Sequence, residues 1–91
     1  HLILLAEDNQ ANIFTLSEYI ESHGYQVVVA HDGVEAIEKA EAVLPDLILM
    51  DIQMPAMDGL EAIERIMAFA PVPILVVTGE AGGERLTFEH A

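Results

Sequence analysis

In this chain, residues able to do chemistry stand where apolar runs give out. Glu7 and Asp8 follow "LILLA", Asp51 follows "DLILM", and Thr78, Gly79 and Glu80 follow "PILVV". A single acid at such a place is often only the first residue of a turn. Gathered together, these acids would do more. Two carboxylates ~4–5 Å apart repel by roughly 3–4 kcal/mol even at an effective dielectric of ~20, so three in one place call for a cation. The donors are all oxygen, with no His or Cys beside them in sequence, and such a set suits hard Mg²⁺ better than zinc or copper. A carboxylate beside such an ion can attack phosphorus and form an aspartyl phosphate. Thr78 could then donate a hydrogen bond to a phosphoryl oxygen, and Gly79 offers room and a backbone N–H. Singly, each residue has a plainer role: Glu7 and Asp8 as acids before a helix capped by Asn9, Thr78 as a strand-ending hydroxyl. The combination at three strand exits carries the functional reading.

The elements that must hold these residues are legible in the apolar pattern. Four short runs read as strands: residues 2–6, 26–30, 46–50 and 73–77. Three are continuously apolar, as parallel strands covered on both faces require. Between them, three sets of apolar residues recur at helical steps: Ile13, Leu16 and Ile20; Val34, Ile37 and Leu44 with Ala40 between; Leu60, Ile63 and Met67. The i,i+4 pairs Glu35–Lys39 and Glu61–Arg65 mark solvent-facing sides. Strands alternating with single helices predict a doubly wound α/β sheet with right-handed crossovers. Ligands of such sheets bind beyond the carboxyl ends of the strands, where the first, third and fourth runs carry their acids and hydroxyl. "DGVEAIEKA" (32–40) echoes "DGLEAIERI" (58–66). Both read as helix starts, with Asp32 and Asp58 as N-caps and Glu35 and Glu61 three residues on in a capping-box arrangement.

Composition narrows the function. Ninety-one residues are enough for one domain, and 53% apolar with 21% charged residues is a globular balance. Sixteen acids against Lys39, Arg65 and Arg85 give a net charge of −13, which argues against a nucleic-acid surface and is compatible with a metal ion or a basic partner. No apolar stretch approaches the ~20 residues of a membrane helix, and no segment reads as a signal peptide. The absence of Cys excludes a disulfide framework and fits a reducing, cytoplasmic setting. The four His residues have no ligand spacing: His23 and His31 sit beside turns, His1 and His90 at the ends.

"LILLAEDNQANI", "DLILMDIQMPAMDGLEAI" and "PILVVTGE" together resemble the receiver (response-regulator) domain of two-component signalling, in order and spacing, from the first strand to about Glu80. The wording is most similar to receivers attached to hybrid sensor kinases. The resemblance implies a flavodoxin-like fold with strand order 2-1-3-4 and a phosphorelay function. It implies that Asp51 is the phosphoacceptor, and that Glu7, Asp8, Asp51 and the backbone carbonyl of Gln53 hold Mg²⁺. Thr78 matches the switch hydroxyl. Gln53 and Glu80 flank the pocket and influence phosphate loss, and Gly79 stands where Ala is usual. The implied partner is a sensor histidine kinase or a histidine phosphotransfer protein, with dimerisation open and no membrane or nucleic acid contacted. The domain would catalyse its own phosphorylation without being a conventional enzyme.

One departure is serious. The family has a fifth strand carrying a Lys that contacts the phosphoryl group, then a fifth helix. The only Lys here, Lys39, lies mid-helix after the second strand. "GGERLTFEHA" (82–91) reads as the start of a fourth helix, so residues 1–91 are expected to form a receiver domain short of its last strand and helix. That would leave the apolar fourth strand as an open edge, a template for aggregation. The missing Lys keeps a phosphorylation-independent interaction module as the alternative function. A Mg²⁺-dependent phosphatase ranks below it, because Gln53 stands where a second acid is needed. A flavin-binding relative is disfavoured by the acidic first loop "AEDNQ".

Overall fold

The computed structural model describes residues 1–51, 59–69, 72–80 and 83–89; for residues 59, 77–80 and 83–89 only the backbone is described. In chain order the elements are β1 (Leu2–Ala6), α1 (Gln10–Ser22), β2 (Gln26–Ala30), α2 (Gly33–Val43), β3 (Leu47–Asp51), α3 (Gly59–Met67), β4 (Ile74–Glu80) and β5 (Gly83–Glu89). The sheet order is β2-β1-β3-β4-β5. The first four strands are parallel, so the doubly wound sheet in the order 2-1-3-4 is as the sequence leads one to expect. The last pairing is antiparallel.

β5 corrects the helical reading of residues 82–91. Residues 83–89 form a strand along the outer side of β4, with Ile74 opposite Glu89 and Glu80 opposite Gly83. Two residues separate the strands, which suffices for an antiparallel connection but not for the crossover a parallel neighbour needs. "RLTF" also alternates in the period of a strand. The edge of β4 is thus covered by the chain's own next segment.

β1 lies in the middle of the layers, and Ile3, Leu4, Leu5 and Ala6 are all buried. Alternate residues divide between the two faces. Leu4 and Ala6 join Ile48, Met50, Ile74 and Val76 in one cluster with Ala36 and Ala40 of α2 and Ala62 and Ile66 of α3. Ile3 and Leu5 are left for the opposite face, and Ile13 and Ile20 are the buried residues of α1.

The apolar stripes of α2 and α3 are placed differently from expectation. Val34, Leu44 and Leu60 are exposed, and small residues take the core: Gly33, Ala36 and Ala40 in α2, Ala62 with Ile66 in α3. Alanine lets a helix sit close to a sheet already filled by Leu, Ile and Met, so the widest side chains move to the flanks. Ile37, Ile63 and Met67 pack against the cluster from its margin.

The caps set where the helices begin. Asn9 accepts from the Asn12 backbone N–H at 3.0 Å, and Asp32 accepts from that of Glu35 at 2.8 Å. The second half of the capping box at α2 differs from expectation. The Glu35 carboxylate takes the backbone N–H of His31 at 2.6 Å, one residue before the cap. Glu35–Lys39 stands at 4.0 Å and Glu61–Arg65 at 3.1 Å. Asp58 lies outside the described residues. α2 ends on Leu44 in the left-handed region, φ 48°, immediately before Pro45, which cannot continue a helix.

Candidate metal centre

The parallel register brings the strand exits level. Ala6 is the partner of both Ala30 and Met50, and Asp51 is the partner of Val77. One residue beyond Ala6, the backbone N–H of Glu7 donates to the carbonyl of Ala30 at 2.9 Å, which pins the first exit to the end of β2. Glu7 and Asp51 therefore leave neighbouring strands at the same height.

Carboxylate oxygens of Glu7, Asp8 and Asp51 lie within 4.8 Å of one another. Glu7 is 3% exposed and Asp51 8%, whereas Asp8 is open to solvent. The cluster is a buried pair with a third acid at its mouth. Removal from water pushes the Glu7 carboxyl up from 4.5 to about 7, helped by a hydrogen bond to Asp51 and by that residue's charge. Opposing this, the Asn9 backbone N–H donates to Glu7 Oε2 at 3.2 Å, and the Asn12 side chain donates to the same carboxylate. Without a cation, then, Glu7 holds its proton beside Asp51 up to about pH 7. The donor set fits a divalent cation: oxygens only, a buried pair and an exposed acid. Such an ion would take the place of the Glu7 proton and leave positions for water and phosphate oxygens.

Three of the acids expected at the site are thus gathered. Thr78 lies one residue past the partner of Asp51, and Gly79 and Glu80 complete β4 at the same edge. Gln53 falls outside the described residues. Asn12 was not singled out by sequence reasoning. Its signal was its place in the first turn after "AEDN", which returns its side chain to the acid five residues earlier. Lys39 is held elsewhere: its Nζ donates to the Val29 carbonyl at 2.6 Å.

A sheet of this order with acids at the exits of β1 and β3 narrows the choice of family, and sequence comparison decides it. Residues 3–88 match the response regulator receiver domain. The chain belongs to that family. Receiver domains are signalling modules of two-component systems. The chain is 52% identical over 55 residues to hybrid signal transduction histidine kinase B of Dictyostelium discoideum, covering 60% of this chain and 3% of that protein. It is 41% identical over 85 residues to protein-glutamate methylesterase/protein-glutamine glutaminase 3 of Rhodospirillum rubrum, covering 90% of this chain and 23% of that one. Among solved structures, the response regulator domain of Thermotoga maritima CheB superposes with a TM-score of 0.82 at 38% identity, covering 90% of this chain and 64% of that one. This receiver domain thus spans well under two thirds of the curated relatives it matches.

Proposed function

We propose that this receiver domain is a phosphorylation-dependent switch in which Asp51 accepts a phosphoryl group from a phosphohistidine on a sensor kinase or histidine phosphotransfer protein. The observation that carries it is the gathering of Glu7, Asp8 and Asp51 within 4.8 Å at the strand exits. An Asp51 oxygen attacks phosphorus, an O–P bond forms, and the P–N bond to the donor imidazole breaks. The imidazole leaves with that electron pair and takes a proton from solvent. Glu7, Asp8, Asp51 and the Gln53 carbonyl would hold Mg²⁺, which when bound supplies positive charge to offset that of the transferring group. Burial of Glu7 and Asp51 keeps water from competing for the same charges. The product carries roughly two negative charges and strong acceptor oxygens in place of a carboxylate. Thr78 would donate to one of these, drawing the end of β4 toward the site and biasing a partner-binding surface; Gly79 and Glu80 flank the same pocket.

The test is an intact-mass time course of the protein with Mg²⁺ and a small-molecule phosphodonor. One phosphoryl group is expected on the wild type and none on Asp51→Asn. A wild type that stays unmodified, while binding a partner kinase as well as Asp51→Asn does, would favour the interaction module.

A further inference from the structure

We infer that Asn12 is a positioning residue for the cation: from the first turn of α1, its side-chain amide holds the buried Glu7 carboxylate in place for a divalent ion. The inference rests on the reading that Glu7, Asp8 and Asp51 hold such an ion. Asp8 is open to solvent, whereas Glu7, 3% exposed, is the more deeply buried of the other two. A carboxylate in water is solvated from every side. One taken out of water is held by the donors the protein gives it. Ionised, it can only accept hydrogen bonds, so each donor fixes one direction at its oxygens.

The start of α1 provides two such donors. Asn9 is the N-cap, and its backbone N–H donates to Glu7 Oε2 at 3.2 Å. Asn12 is the third residue of the helix. Its backbone N–H donates to Asn9 Oδ1 at 3.0 Å, and its side chain donates to the Glu7 carboxylate. The three residues close a loop in which Asn12 holds Asn9, and both hold Glu7. In a capping box, the side chain at this helical position reaches back to the N–H of the cap. Here Glu7 already takes that N–H, which leaves the Asn12 amide for Glu7 itself.

The residue types agree with this role. α2 and α3 carry Glu35 and Glu61 in their first turns, whereas the first turn of α1 holds no acid. A glutamate at position 12 would set a further carboxylate against Glu7 and donate nothing. Asparagine brings an NH₂ group without charge. Groups that orient a metal's ligands in this way govern its affinity by ~10–100-fold.

Calorimetric titration with Mg²⁺ tests this on the wild type, Asn12→Ala, Asn12→Leu, Asn12→Gln, Glu7→Gln and the double variant of Asn12→Ala with Glu7→Gln. A melting curve of each reports whether the fold is intact. Asn12→Ala is expected to bind Mg²⁺ about tenfold more weakly. Asn12→Leu, which fills similar space without a donor, should fall as far, and Asn12→Gln should recover part of the loss. Added to Glu7→Gln, Asn12→Ala should change the affinity by about twofold at most, because its effect passes through Glu7. If Asn12→Ala melts early, Asn12→Leu and Asn12→Gln carry the comparison. Wild-type affinity in a folded Asn12→Ala or Asn12→Leu would overturn the role of Asn12. So would a loss that persists undiminished in Glu7→Gln. A wild type that binds no Mg²⁺ overturns the cation reading along with this one. A wild type that binds Mg²⁺ yet takes no phosphoryl group from a small-molecule donor overturns only the acceptor role of Asp51.

Discussion

Glu7 shows how a residue's charge state is decided by its neighbours. Held to β2 by its own N–H and buried against Asp51, it keeps its proton up to about pH 7. The unfolded chain releases that proton near 4.5, so between the two values the folded state binds more protons. Stability then falls as pH rises through that window, by a total on the order of 3 kcal/mol, and the loss is complete above it. Urea denaturation in metal-free buffer at about pH 5 and about pH 8 is expected to show this fall in the wild type and a much smaller one in Glu7→Gln. The same slope in both proteins would remove Glu7 as its source.

Element boundaries rest on a few short polar side chains. Asp32 satisfies an N–H of α2 that has no partner within the helix, and Glu35 does the same for His31. Asp32→Ala is expected to cost about 1 kcal/mol in chemical denaturation, with the slope of the transition unchanged. Loss below a few tenths of that figure would show that water or Glu35 serves the exposed N–H equally well. At the sheet edge the element that matters is β5. It covers β4, whose apolar residues would otherwise present unpaired N–H and C=O groups to other chains.

The whole molecule carries thirteen more negative charges than positive ones. Part of that repulsion is diffuse and screened by salt; the part at the strand exits is concentrated in a donor set that a divalent ion would answer. Millimolar Mg²⁺ is therefore expected to raise the melting temperature by more than NaCl of equal ionic strength. The surplus should vanish in Glu7→Gln with Asp8→Asn. Identical effects of the two salts would mean general screening only.

The amino-acid sequence alone determined the parallel strands, their alternation with helices and the chemistry of the exits. Continuous apolar runs must be buried on both faces, and the acids that end them are fixed by position in the chain. Which helical residues meet the sheet was decided by packing: Ala36, Ala40 and Ala62 displaced Val34, Leu44 and Leu60 because closeness outweighed side-chain size. The raised pKa of Glu7 needs Asp51 beside it, and so the register of two strands far apart in sequence. The state of residues 83–89 was decided by what lay beside them. The edge of β4 offered a full row of hydrogen bonds after a connection of only two residues, and so residues 83–89 joined the sheet.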